Sequence, residues 1–276
     1  FVSQPNLSAT VREVEEELGI TVFMRNNRGI TVTAEGEEFL GYAKQVVEQY
    51  HLLENRYLNV ESKKKFSVSM QHYSFAVKAF VQLAKEVGMD EYEFAVHETK
   101  TKEVIDNVKN LKSEIGVLYL SDFNEKVLRK LFKECDIEFK ELFTCNTYVY
   151  LWKKHPLAGQ KEITLDDLQE YPCLTFEQGV NNSFYYAEEM MSTYEYKRVI
   201  KADDRATMLN LMVGLNGFTL CSGIISEDLN GDDYAAIPLK ESEKMHIGYI
   251  KHKGTKLSKL GEIYIDALKN YENKVL

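Results

Sequence analysis

The sequence predicts an α/β protein in two parts, a small N-terminal module of helix, hairpin and long helix followed by a larger region of two α/β lobes. Three observations predict it. A proline-led helix, two short β-rich runs and a long amphipathic helix fill the first sixty residues; strand and helix patterns alternate from residue 66 onward; and the alternation restarts beyond Pro156, which divides the second part in two. With 276 residues the chain has room for two or three units, since single domains usually hold about 100–200 residues.

The first helix starts around Pro5, whose missing N–H is harmless in a first helical turn, with Ser3 as its capping hydroxyl. Leu7, Val11, Val14 and Leu18 recur at spacings of four, three and four, which predicts one buried stripe, and Gly19 stands where a C-cap belongs. Gln4, Ser8, Ala9 and Arg12 fall on the opposite face. The β-rich runs 20–24 and 30–32 flank Arg25-Asn26-Asn27-Arg28-Gly29, a hairpin turn with two cations at its tip. Thr33 caps the long helix, and Glu35 and Glu37 in its first turn suit the positive end of the helix dipole. Along it Phe39, Ala43, Val46, Tyr50, Leu53, Tyr57 and Val60 alternate spacings of four and three, a pattern shared by a helix docked on its own domain and, the reading preferred for a helix that follows so small a module, by one that pairs with a second copy.

After the polar hinge Ser62-Lys63-Lys64-Lys65 the pattern predicts strands at 66–70, 92–96 and 115–120 and helices at 74–87, 102–111 and 124–134, hence a largely parallel sheet. A long apolar run covers 139–152. The second lobe reads as strands 173–176, 198–201 and 218–221 with helices 183–194 and 205–213; strand 246–251 and helix 259–271 close the chain. The aromatic and Met residues Phe184, Tyr185, Tyr186, Met190 and Met191 read as lobe core. No internal repeat is visible in the sequence.

Bulk properties narrow the function. A net charge of −9 excludes a protein coated in nucleic acid, because phosphate binding needs clustered cations. Any DNA contact is therefore local, and residues 1–60 themselves carry five Arg or Lys against nine Glu. Cys135, Cys145, Cys173 and Cys221 form no CxxC pair and have no His at ligand spacing, so they read as reduced thiols without a metal, and with no signal peptide visible the expected location is the cytoplasm.

Taken in order, Phe1-Val2-Ser3-Gln4-Pro5-Asn6-Leu7-Ser8, Glu15-Glu16-Glu17-Leu18-Gly19, Val22-Phe23-Met24-Arg25, Arg28-Gly29 and Thr33-Ala34-Glu35-Gly36 resemble the DNA-binding part of the LysR-type transcription regulators. Lys154-His155-Pro156-Leu157-Ala158 and Ile163-Thr164-Leu165-Asp166-Asp167-Leu168 are similar to that family's entry into its second lobe. The resemblance spans essentially the whole chain. It implies a partial winged helix-turn-helix at 1–32, whose first helices would precede Phe1, and a linker and dimerisation helix at 33–62. It further implies a two-lobed periplasmic-binding-protein-like (type 2) effector domain, with lobe I at 66–146 and 251–276 and lobe II at 147–250. The partners implied are double-stranded promoter or operator DNA, a small-molecule effector and a second copy of the chain, with dimers or tetramers both open.

On that reading Ser3, Gln4, Pro5, Ser8 and Arg12 present the recognition helix to the duplex. Gln4 can offer a bidentate amide to adenine, and Pro5 can pack on a thymine methyl. Arg25 and Arg28 hold phosphates at the wing. Ala9 replaces a cation that many relatives carry, so one expected contact is missing. Effectors of two-lobed proteins lie near strand C-termini where helices begin. Those places are His72, Tyr73 and Ser74 after the first strand, Thr99, Lys100 and Thr101 before the second helix, and Glu177 and Gln178 with Asp203 in the second lobe. Asp203 or Asp204 reads more simply as a helix cap, and Lys100 as a solvated lysine.

A catalytic reading finds no HExxH, Walker loop, GxGxxG or nucleophile elbow, and His72, His97, His155, His246 and His252 are scattered. No cofactor is expected. The alternatives are a sensory protein without DNA function, against which the motifs of the first sixty residues weigh, or an enzyme on the same two-lobed fold, which turnover of a candidate metabolite would reveal.

Overall fold

The computed structural model describes residues 4–26, 29–57, 63–88, 91–181 and 183–271. They fall into two units, Phe1–Ser62 and Lys63–Leu276.

In the first unit, helix α1 (Gln4–Leu18) stops at Gly19, whose φ of 68° lies in the left-handed region that favours glycine. The hairpin β1 (Phe23–Asn26) and β2 (Gly29–Val32) follows, with Asn26 opposite Gly29. The first strand therefore begins later than the predicted 20–24 and runs into the predicted turn. The reason is Glu15, whose carboxylate accepts from the Val22 N–H at 2.7 Å and the Phe23 N–H at 3.0 Å and so takes the amide that a longer strand would use. Thr33 caps α2 (Ala34–Tyr57) as expected, its hydroxyl accepting from the Gly36 N–H at 2.8 Å while donating to the Thr21 carbonyl. Gly36 sits so close to the hairpin that a β-carbon there would lie 2.3 Å from the Val22 carbonyl oxygen.

Val22, 2 % exposed, is the one fully enclosed apolar side chain among the described residues of this unit. The predicted stripe on α1 is correspondingly incomplete: Val11 and Val14 are half-buried, but Leu7 and Leu18 are exposed, since no described element of the unit covers them. On α2, Phe39 and Ala43 are half-buried, whereas Val46, Tyr50 and Leu53 are exposed; the side chain of Tyr57, and Val60, lie outside the described residues.

The second unit holds two sheets. In the first, β3 (Lys64–Met70), β4 (Tyr92–Glu98) and β5 (Ile115–Leu120) are parallel in the order β4-β3-β5. Each is followed by a helix: α3 (Ser74–Val87), α4 (Thr101–Lys109) and α5 (Glu125–Glu134). All six residues of β5 are buried, as a central strand covered on both faces requires. β6 (Ile137–Cys145) is the far edge.

The apolar run 139–152, read as continuous, divides. β7 (Tyr148–Trp152) leaves the first sheet and joins the second, where it lies between β10 (Thr219–Cys221) and β11 (Tyr234–Pro238) in antiparallel pairing. β8 (Cys173–Phe176) and β9 (Val199–Ala202) are parallel, and a bridge from Cys173 to Phe218 ties them to the start of β10. α6 (Arg205–Leu215) and the single turn α7 (Glu227–Asn230) complete this lobe.

β12 (Met245–His252) then returns to the first sheet, antiparallel to both β5 and β6, and α8 (Lys259–Lys269) packs on α3 and against β6. Residues 245–250, assigned above to lobe II, therefore belong to the first sheet. The chain crosses between sheets at 146–147 and 239–244, and the two crossings are tied together: the Thr147 N–H donates to Ser242 Oγ at 2.7 Å and its hydroxyl to the Glu243 carbonyl at 2.9 Å.

The predicted helix 183–194 is a second correction. Only Phe184–Tyr186 forms a single 3-10 turn, and the segment beyond is turns. Its backbone is drawn out of helical pairing by the neighbouring strand ends, the Tyr119 hydroxyl donating to the Ala187 and Glu189 carbonyls at 3.1 and 3.3 Å. Met190 is core as read, and Met191 and Tyr186 pack on core clusters, but Phe184 and Tyr185 are exposed.

At Gly248 the pairing of β12 with β6 shifts register, and a β-carbon would meet the Phe139 ring at 2.3 Å and the Lys140 carbonyl oxygen at 2.6 Å. Gly248→Ala is expected to cost about 1–3 kcal/mol, as overpacking of a closed core does, and to lower the melting temperature of the second unit by several degrees. Thermal denaturation followed by circular dichroism checks it.

Candidate functional site

Parallel pairing puts the C-terminal ends of β3, β4, β8 and β9 at the junction of the two lobes, where the following helices begin. His72 and Glu188 meet there. The His72 N–H donates to Glu188 Oε2 at 2.9 Å, and ring Nδ1 lies 2.8 Å from the same oxygen. Both side chains are almost fully enclosed, 6 % and 4 % exposed. The imidazole also stacks flat on Phe176, with centroids 3.7 Å apart and planes 5° from parallel. The other Glu188 oxygen accepts from Gln178 Nε2 at 2.9 Å, so both carboxylate oxygens have partners.

Gln178 extends the network back to the first lobe, its Oε1 accepting from the Thr101 N–H at 3.1 Å. The Thr101 hydroxyl donates to the Tyr186 carbonyl at 2.7 Å and accepts from Gln71 Nε2 at 2.6 Å. Gln71 Oε1 in turn accepts from the Tyr73 hydroxyl at 2.9 Å. Two ion pairs lie further out across the same junction: Arg205 with Glu98, and Lys100 with Asp203 at 3.6 Å.

The structure thus separates the predicted effector residues into three kinds. His72, Tyr73 and Ser74 line a cavity between the lobes. Lys100, Thr101, Gln178 and Asp203 join lobe to lobe and are not on that cavity's wall. Thr99 and Glu177 stabilise their own turns, Thr99 by donating to the Glu103 carboxylate and Glu177 by accepting from the Gly179 N–H at 3.2 Å. Asp204 is the helix cap: its carboxylate accepts from the Thr207 N–H at 2.8 Å and the Thr207 hydroxyl at 2.7 Å, which holds it below the usual aspartate range.

The cavity measures about 90 Å³. Besides the start of α3 its wall comes from the second lobe, from Tyr150, Phe176, Glu188, Glu189, residues of α6 including Arg205 and Met208, and β10 with the loop that follows. Glu188, Glu189, Arg205, Tyr150 and Thr219 were not singled out in the sequence. The available signal was the acidic pair between Ala187 and Met190, obscured by reading that segment as an amphipathic helix. Glu189 accepts from the Phe176 N–H at 2.9 Å, and burial beside Glu188 pushes its carboxyl up to about 8.

In the first unit, Ser8 is half-buried and Arg12 exposed on α1. Ser3 and Arg28 lie outside the described residues, as do the side chains of Gln4, Pro5 and Arg25. His155 is structural: Nδ1 accepts from the Leu157 N–H at 3.0 Å and Nε2 lies 3.0 Å from the Asn216 carbonyl oxygen. Among the described residues no group of three or more His, Cys, Asp or Glu side chains could hold a metal ion, and no helix is long and apolar enough to cross a membrane.

Comparison with known proteins finds two family matches. Residues 1–37 match the bacterial regulatory helix-turn-helix protein, lysR family, and residues 89–272 match the LysR substrate binding domain. The HTH-type transcriptional regulator CysL of Bacillus subtilis is 25 % identical over an alignment covering 100 % of this chain and 91 % of its own. Among solved structures, a full-length OxyR variant from Pseudomonas aeruginosa superposes with a TM-score of 0.70 at 17 % identity, covering 97 % of this chain and 86 % of that one. The effector binding domain of QuiR in complex with shikimate gives a TM-score of 0.51 at 18 % identity over 77 % of this chain and 99 % of that one.

Two outcomes follow from the junction. Glu188→Ala leaves His72 enclosed without its partner and is expected to cost about 3–5 kcal/mol in urea denaturation, whereas Lys100→Ala, which opens a half-exposed pair, is expected to cost no more than about 1 kcal/mol. Glu189 titrates about 8 when folded against an ordinary 4.5, so its protonated form favours the folded state. That contribution is complete below pH 4.5 and is lost as pH rises through 8. Glu189→Gln is therefore expected to flatten the decline in unfolding free energy over that interval, relative to the parent chain.

Proposed function

The chain belongs to the lysR family of bacterial regulators, and from that premise we propose how it reads DNA and a small molecule. It is a DNA-binding transcription regulator with an effector-binding domain. The observation that carries the reading is the combination, in one chain, of a helix–hairpin–long helix unit and a two-lobed unit whose lobes meet around a partly apolar cavity.

In this reading α1 enters the major groove. Gln4, Pro5 and Ser8 read base edges, Arg12 on its exposed face holds a phosphate, and Ser3 adds a further contact to the duplex. Arg25 and Arg28 hold the flanking backbone. The chain acts as a homodimer through α2, because Val46, Tyr50 and Leu53 form an exposed apolar seam in continuation of Phe39 and Ala43 and toward Tyr57. The effector sits in the interlobe cavity against His72, Tyr73 and Ser74. The contacts of Lys100, Thr101, Gln178 and Asp203 set how firmly the lobes close over it. QuiR's domain, which shares the fold, holds a small molecule, shikimate.

Selection of the chain's preferred duplexes from a randomised pool is expected to return two half-sites one or more helical turns apart. Protection of a single unpaired half-site by a monomer would contradict the reading. Gln4→Ala is expected to weaken binding to the selected duplex by about 1–3 kcal/mol and relax specificity at one base. Arg12→Ala is expected to weaken all duplexes alike and to lower the salt slope by about one. Val46→Lys is expected to shift the chain toward monomer in sedimentation.

A further inference from the structure

We propose that the interlobe cavity takes a compact, uncharged and mainly apolar ligand with one hydroxyl or carbonyl group, held by Thr219 and Tyr150. This rests on the cavity being the effector site and names the chemistry that fills it.

Size comes first. A protein cavity of roughly 150 Å³ accommodates benzene. At about 90 Å³ and partly open, this one is matched in size to a small ring. Most of its wall is apolar, supplied by Phe75, Phe176, Met208, Met212, Leu220 and Ile224. The methionines give it some freedom to adapt to shape.

The charges on the wall are already engaged. Glu188 is satisfied by His72 and Gln178, and Arg205 is neutralised by Glu98. Glu189 accepts from Phe176, and burial beside Glu188 pushes its carboxyl up to about 8, which favours the neutral form. A charged ligand entering here would lose its hydration without meeting an uncommitted counter-charge.

What the wall leaves unmet is neutral. Thr219 and Tyr150 stand directly opposite each other on β10 and β7, so their side chains share one face of the sheet, and both line the cavity. Thr219 is 6 % exposed and its hydroxyl has no partner. The Tyr150 hydroxyl is enclosed beside Asn230 without a well-formed hydrogen bond. Burial raises the tyrosine's pKa, so it stays a protonated donor. Enclosed hydroxyls normally find a partner, and a ligand oxygen between these two would supply it. No charged group is needed for that match.

The test uses the full chain and four probes built on one small ring: cyclopentanol, cyclopentanone, cyclopentylamine as its ammonium ion, and cyclopentanecarboxylate. Binding is read by amide shifts in 1H–15N spectra and by thermal shift. The two neutral probes are expected to saturate with shifts centred on β7 and β10, at least tenfold more tightly than either ion. Thr219→Val is expected to weaken cyclopentanol about tenfold while leaving the unliganded melting temperature equal or higher, because the substitution removes an unpartnered hydroxyl. Binding of an ion as tight as that of the alcohol, with shifts at the same strands, would overturn the ligand class and leave the effector site standing. Absence of cavity shifts with all four probes would overturn the proposal together with the placement of the effector site, and an unchanged affinity in Thr219→Val would overturn the role of Thr219.

Discussion

The second unit depends on one enclosed contact, the carboxylate of Glu188 held by the backbone and ring of His72. Removing a carboxylate from water is costly, and the cost is offset only where the partners are well placed. Here the stack on Phe176 fixes the imidazole plane and Gln178 satisfies the remaining oxygen. Because Phe176 and Gln178 belong to one lobe and His72 to the other, the arrangement exists only when the lobes are closed. Opening them would strip partners from several enclosed polar groups at once, including Thr101 and Gln178, which argues for a discrete change rather than a graded one.

The two sheets explain why such a change can occur without unravelling either lobe. Each places three parallel strands beside an antiparallel pair, in the orders β4-β3-β5-β12-β6 and β9-β8-β10-β7-β11, the second completed by the bridge from Cys173 to Phe218. The chain passes between them only twice, at points joined by Thr147, Ser242 and Glu243. The two crossings are short and adjacent, and the cavity and the buried pair lie where the lobes face each other. The repeat left no trace in the sequence, because the two sheets share geometry and not residue identity.

The first unit is organised by polar groups more than by apolar packing. Glu15 supplies the acceptor for the start of the hairpin, Thr33 joins the end of the hairpin to α2, and Gly36 permits the close approach at Val22. This leaves Leu7, Leu18 and much of the α2 seam in contact with solvent.

Local order was readable because it is written locally. Gly19 and Thr33 end and begin helices by conformational preference and capping, the apolar spacing marks α3, α4 and α8, and the motifs along the first thirty-six residues carry the family. Of the effector residues expected where strands hand over to helices, His72, Tyr73 and Ser74 line the interlobe cavity. What tertiary structure alone decided was pairing across distance. Glu188 sits 116 residues from His72 and Glu189 sits 70 residues from Tyr119, the first-lobe groups they meet, and the segment holding them left its predicted helix because those meetings outweigh one helix's own hydrogen bonds. The same holds for β12, assigned to a sheet by its neighbours β5 and β6, and for Thr219 facing Tyr150. A sequence specifies its near neighbours through backbone preference; which buried polar group finds which partner is settled only when the lobes close and water is excluded.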